Sequence, residues 1–453
     1  MDKGLMMPSI KKTLPLLFLA PYLASAAPIL IKDATLVVSM NPTESDTTGR
    51  LYDKDILINN GKIQAIGSNL STQGKKVINA SGLIVMPGFV DVHDHIWQTN
   101  IRGCKIDKTV NDWLPPCVFP VKFTYQQAYD AVQLGTLDLI NTGVTTVNDW
   151  SHSYSDEWAE GNLKALQDSG LRYVFTYNLQ KDKNSQARKL KGAVDKDPQG
   201  AFHLASHPAL WWQESLKNAV DLAESLNTTL DLHYAENVKD RLDGQTEAIK
   251  NTGANKIPLI LDHVVDVNNY EIQMMAEAKS RVSYNALSNM RLASGIAPMG
   301  KINEAGIPIG LGLDGGASDN ANYFTLMRVA VGLQRVKHQS PKAFPTIEDV
   351  LYLATLGGAK VLGLDDKIGS LEVGKQADII IIDPDTTNMG VNFDNLAQIP
   401  FNAEPVNVKH VMVNGKLLKE NGKLKISDKD FSELLERNRN TVKELINTSE
   451  ASL

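Results

Sequence analysis

The sequence has little cysteine: Cys104 and Cys117 are the only two in 453 residues. That excludes a disulfide-built scaffold and a zinc site made of thiolates alone. Excess positive charge is also missing, with 46 Lys and Arg against 52 Asp and Glu and a formal net charge of −6. Phosphate neutralisation needs clustered Lys and Arg, so the balance speaks against a nucleic-acid partner. Beyond the N-terminus no segment is apolar enough for a permanent span, which takes about 20 residues. There is no internal repeat and no low-complexity tract. At 22% charged and 43% hydrophobic residues the chain has the composition of a folded, soluble protein.

The first 26 residues read as an address. Lys3, Lys11 and Lys12 precede a short apolar run, Leu14 to Leu23, broken by Pro15 and Pro21. Ala24-Ser25-Ala26 follows. A basic region, an apolar region and an A-x-A site describe a secretory signal peptide. The expected protein is exported, to the periplasm or beyond, and is free of the membrane once cleaved. In an oxidising compartment Cys104 and Cys117 can close a loop. The other reading is two reduced thiols.

Short β-rich runs bracket the chain. Ile29 to Met40, Asp55 to Ile66 around Asn59-Asn60-Gly61-Lys62, and Val77 to Val85 stand at one end. GSLEVGKQADIIIID (Gly369 to Asp383) and VKHVMVNGKLLK (Val408 to Lys419) stand at the other. Between them, apolar strand-like runs alternate with helical stretches. The runs are Gly88–Val92, Gly143–Asn148, Arg172–Tyr177, Thr229–His233, Pro258–Asp262, Arg281–Tyr284 and Pro308–Leu313, with a weak one at Ala201–Ala205. This pattern is α/β and fits a closed (β/α)8 barrel. A doubly wound open sheet competes, but no Gly-rich dinucleotide fingerprint follows the first strand.

Chemistry-bearing residues gather where these runs end. PGFVDVHDH closes its strand with His93 and His95, two apart and so on one face. Two neutral imidazoles on one face supply half of a zinc or iron site. LDLHYAEN ends in His233, with Glu236 three residues on. LILDHVVD puts His263 at a strand end, and IPIGLGLDGGASDN puts Asp314 at the last one, before Gly315 and Gly316. A lone strand-end His is more often a satisfied core residue than a ligand. Here four of only nine histidines fall in such places. In a barrel that end carries the active site.

This set of motifs resembles the amidohydrolase superfamily, in its cytosine deaminase-like and triazine hydrolase-like branch. That branch includes the methylthioadenosine/S-adenosylhomocysteine deaminases. HDHIWQTNIRG (His93 to Gly103) and SNMRLASGIAPM (Ser288 to Met299) carry the likeness to the branch. The resemblance implies a barrel with a small β-sandwich built from both chain ends. The division is then a signal peptide over 1–26, the N-terminal half of the sandwich over 27–86 and the metal-dependent barrel over 87–368. The C-terminal half of the sandwich covers 369–426, and a helical tail covers 427–453. Carried over, His93, His95, His233 and Asp314 are metal ligands, and Asp314 also takes the water proton. Glu236 is the proton shuttle, and His263 contacts the reacting group. No lysine stands where a carbamylated bridge needs one, so the resemblance implies one divalent ion. Three imidazoles and a carboxylate accept zinc or iron, and an oxidising compartment favours zinc.

The implied reaction is attack of a metal-activated water on an sp² carbon bearing an amino group, which deaminates a small heterocyclic substrate. The loop from Trp97 to Lys122 is expected to cap the mouth. Trp97 and Trp113 offer flat faces for a ring. Gln98 offers an amide, Arg102 a cation and His152 a further polar contact. In the nucleoside deaminases this loop ends in Pro-x-Glu, whose carboxylate holds ribose hydroxyls. Here Pro120-Val121-Lys122 stands in its place. Lysine accepts no hydrogen bond, which points to a free base, a triazine or a related ring rather than a nucleoside. Cleavage of an amide, a cyclic amide or a carbon–halogen bond in the same fold stays open, as does an exported binding protein without turnover. Members of the family often form homo-oligomers, and that too is open here.

Overall fold

The computed structural model describes residues 27–43, 46–318 and 320–450. The expected signal peptide lies outside the described residues. Parallel strands covered on both faces are written as near-continuous apolar runs. Eight such strands pair side by side in chain order: Phe89–Asp94, Val144–Ser151, Arg172–Asn178, Gly200–Ser206, Leu230–Tyr234, Leu259–His263, Arg281–Tyr284 and Ile309–Leu311. The weak eighth run is a full member, in fourth place. First and last strands meet through the Asp314 amide, which donates to the His93 carbonyl at 2.9 Å. The Tyr323 hydroxyl lies 2.8 Å from the Val90 carbonyl and 3.0 Å from that of Leu311, on the same seam. The result is a nearly closed (β/α)8 barrel.

Local signals explain where its helices start and stop. Tyr125–Thr142 begins at Thr124, whose hydroxyl takes the Gln127 amide while the Gln127 side chain returns to the Thr124 backbone. It ends at Gly143, where φ is 104°, a left-handed value that side chains resist. Asn268 and Glu271 open Asn269–Glu277 in the same reciprocal way.

The bracketing strands form one mixed sheet of nine strands. Its two halves join where Ile84–Pro87 runs antiparallel to Ile379–Ile382. Ile31, Val37, Ile56 and Ile58 from one end of the chain pack with Ile379, Ile381 and Met412 from the other. The polar tail forms the helix Asp428–Glu450, held to Tyr125–Thr142 by Arg437 on Asp130 at 2.8 and 2.9 Å. No helix among the described residues is long and apolar enough to cross a membrane.

Barrel and sheet are tied by one buried ion pair. Arg172, at the start of the third barrel strand, donates to Asp378 at 2.9 and 3.2 Å, and the Asn414 amide donates to the same carboxylate at 2.7 Å. The two side chains are 6% and 2% exposed. Removing one partner of such a pair leaves a buried charge alone. Arg172→Met is expected to cost about 3–5 kcal/mol in denaturant unfolding. A loss below about 1 kcal/mol, the value of an exposed pair, would contradict this role.

Candidate active site

The barrel brings the strand-end residues to one point. His93 lies inside the first strand and His95 one residue past it, with ring centroids 4.8 Å apart. His233 arrives from the fifth strand, and its Nε2 stands 3.2 Å from Nε2 of His95. Asp314 follows the last strand. Its Oδ1 is 3.3 Å from Nε2 of His93 and 3.3 Å from Nε2 of His95. All four are buried or nearly so. Bonds of about 2.0–2.1 Å to zinc, arranged tetrahedrally, put neighbouring donors about 3.3 Å apart. Three donor pairs here already have that spacing and all four donors lie within 4.8 Å of one another, so the four residues fit a single divalent ion.

Burial sets the charges. Loss of solvation is the largest influence on His95 and His233, and both are held below the ordinary imidazole range, in the neutral form that ligates. Asp314 also loses solvation, yet His263, His93 and His95 together hold it well below the usual carboxylate range. Glu236 sits between the fifth strand and the short helix Val238–Leu242. Burial pushes its carboxyl up to about 7, and Ser294 donates to its Oε1 at 3.3 Å. His263 gives Nδ1 to Asn289 Oδ1 at 2.9 Å, which leaves Nε2 buried and unpartnered.

Two positions in the site carry backbone strain. His263 and Asp314 have φ of 71° and 67°, left-handed values that non-glycine residues seldom adopt outside constrained sites. Gly315 follows Asp314 at 67°, and a Cβ there would stand 2.6 Å from the His95 carbonyl oxygen.

A cavity of about 410 Å³ opens over these residues. His95, His233, Glu236, His263 and Asp314 form its floor, while Trp113, Leu114, Tyr154 and Trp211 line it with them. An adjoining cleft of about 330 Å³ shares Phe119, Tyr154, His207 and Trp211 and adds Lys122, Asn178 and Gln180. Trp113, Gln98 and His152 reach the cavity as expected. Gln98 has its carbonyl oxygen taken by the Gly316 amide at 3.0 Å, so its NH2 end is what a ligand meets.

Two expectations are corrected. Trp97 offers no face to a ring, because it is wholly buried against Trp158 and Phe123 and donates Nε1–H to His152 Nδ1 at 3.1 Å. It orients His152 instead. Arg102 does not line the cavity, since Asp138 takes it at 2.7 Å. Among the lining residues that escaped the sequence reading are Tyr154, His207 and Trp211. His207 stands one residue past the fourth strand, as His95 stands one past the first, and that strand-end position was its signal. Burial lowers its imidazole to about 4.

Residues 84–418 match the Amidohydrolase family. The chain belongs to this family. It is 33% identical to a 5'-deoxyadenosine deaminase from Methanobrevibacter smithii, over 92% of this chain and 98% of that protein. It is 31% identical to a 5-methylthioadenosine/S-adenosylhomocysteine deaminase from Thermoanaerobacter pseudethanolicus, over 83% and 91%. An adenosine deaminase from Xanthomonas campestris, solved with bound zinc, shares the fold at a TM-score of 0.84 and 24% identity, over 92% of this chain and 98% of that one.

In this amidohydrolase Cys104 and Cys117 are joined. The stapled segment carries Val110, Asn111, Trp113 and Leu114 of the cavity wall, and Trp113 Nε1–H donates to the Cys104 carbonyl at 2.9 Å. The double variant Cys104→Ser, Cys117→Ser is expected to lose up to about 3 kcal/mol, the chain-entropy worth of so short a loop. It should also raise KM more than it lowers kcat. An unchanged unfolding midpoint together with an unchanged KM would show that the staple is dispensable.

Proposed function

We propose that the protein is a metal-dependent deaminase of an amino-substituted heterocycle, releasing ammonia from an sp² ring carbon. The carrying observation is the convergence of His93, His95, His233 and Asp314 at metal-donor spacing beneath a cavity that also holds Glu236 and His263. A divalent ion held by these four residues would supply a water-derived nucleophile at neutral pH. Asp314, kept ionised by the surrounding imidazoles, is the proton acceptor for the attacking water. Glu236, its carboxyl near neutrality, protonates the ring nitrogen next to the carbon under attack. His263, in its doubly protonated form, presents an Nε2–H to the charge that develops there. Water and the amino ring become the oxo ring and ammonia, so atoms and charge balance.

The names of the relatives support deamination and favour a purine-like ring. Zinc is our choice of ion, on the donor set and on the oxidising compartment that the Cys104–Cys117 pair supports. Export by the N-terminal segment belongs to the same reading. Lys122, exposed in the cleft that continues the cavity, offers a donor and no acceptor. We therefore read the substrate as a free base or a ring whose substituent is not a ribose held by a carboxylate.

Ammonia release by the purified, metal-quantified protein tests this, with cytosine, guanine, isoguanine, adenosine, methylthioadenosine and amino-triazines as the panel. Release from a base and not its nucleoside is the expected result. Release from nucleosides alone would overturn the reading of Lys122, and no ammonia from a metal-loaded chain would overturn deamination. Glu236→Gln is expected to keep its metal and lose about 10²–10⁴-fold in kcat. A kcat within a few-fold of the parent would remove Glu236 from the mechanism.

A further inference from the structure

Beneath the ligand set lies a second buried cluster. His93 turns Nδ1 toward Asp262, whose Oδ2 is 3.1 Å away, and both side chains are 0% exposed. Asp231 joins them, each of the three side chains placing one donor atom within 4.8 Å of the other two. Asp231 in turn accepts from Asn148 Nδ2 at 2.8 Å. Asn148 also donates to the Val92 carbonyl at 2.8 Å and accepts from Thr176 Oγ1 at 2.5 Å. The cluster thus draws one residue from each of five barrel strands.

Its chemistry is unusual for a barrel interior. Neither Asp262 oxygen takes a hydrogen bond from any described residue, and its 3.1 Å contact with His93 Nδ1 is an ion-pair approach outside hydrogen-bond geometry. Among the described residues, no lysine or arginine forms an ion pair with Asp231 or Asp262. Buried carboxylates without such partners are costly and call for a reason. The three ligand imidazoles also differ in what supports them. His95 gives Nδ1 to a backbone carbonyl, that of Trp150, at 2.6 Å. His233 Nδ1 has no partner among the described residues. Only His93 has a carboxylate within ion-pair distance of its Nδ1.

We propose that Asp262 is a positioning residue for the metal: its carboxylate, at ion-pair distance from Nδ1 of His93, keeps the ring proton on that nitrogen, fixes the tautomer that leaves Nε2 to ligate, and is itself placed by Asp231 and the Asn148–Thr176 pair. Partners of this kind raise the basicity of the ligand and fix its ring. The proposal rests on the metal reading above.

The test is zinc affinity, measured by competition with a chromogenic chelator on metal-stripped full-length protein. It is paired with thermal unfolding of the same stripped samples. The parent should bind one zinc per chain. Asp262→Asn should weaken zinc about 10–100-fold, the range for such partners, and Asp262→Ala should weaken it more. Asp231→Asn, one contact further away, should lose less than Asp262→Asn. The stripped Asp262→Asn protein should unfold no earlier than the stripped parent, because a buried charge has been removed. Parent-like affinity in Asp262→Asn, or an affinity loss matched by a lower Tm of the stripped form, would overturn the assignment. A parent that binds no zinc would overturn the metal reading itself, and this inference with it.

Discussion

The hydrogen bond from the Asp314 amide to the His93 carbonyl closes the barrel, and the same contact sets the Asp314 carboxylate against the imidazoles. Closure and chemistry therefore share one seam. The seam is reinforced from behind by Tyr323, whose hydroxyl reaches both flanking strands. The left-handed φ at Asp314 and the side-chain-free approach of Gly315 to His95 follow from the same constraint. The chain accepts local strain where the fold must deliver a carboxylate to a fixed point.

Two acidic groups in one cavity are given opposite states by their neighbours. Asp314 faces several imidazoles and stays ionised, whereas Glu236 has burial as its dominant influence and is raised toward neutrality. A proton acceptor and a proton donor can then stand side by side at one pH, as the reaction requires. Among the ligand histidines, His95 and His233 are kept neutral chiefly by loss of solvation. His93 is raised instead, because Asp262 and Asp314 outweigh its burial.

Much of this was legible in the sequence because strand ends are marked by punctuation. His93, His95, His233, His263 and Asp314 each close an apolar run, and the parallel barrel sends all such ends to one side. The fourth strand was faint because Gly200–Ser206 mixes glycine, alanine, serine and His203 with few large apolar residues. Ring direction was not legible at all. Whether Trp97 faces substrate or core depends on the path of the Ile96–Ile101 turn, which spacing does not encode. Nor was Asp262 visible beside His93, because register pairs it with His233 on the neighbouring strand while barrel curvature brings it to His93 across the interior. The cleft that receives Lys122 likewise joins four segments that are apart in sequence.

The central claim is that one ion sits among His93, His95, His233 and Asp314. The most direct measurement is a crystal structure of the zinc-loaded protein with data collected on both sides of the zinc absorption edge. The account predicts a single anomalous peak per chain, in contact with Nε2 of the three histidines and with an Asp314 oxygen. A second peak of similar height, or a single one displaced to the Asp231 and Asp262 carboxylates, would contradict it.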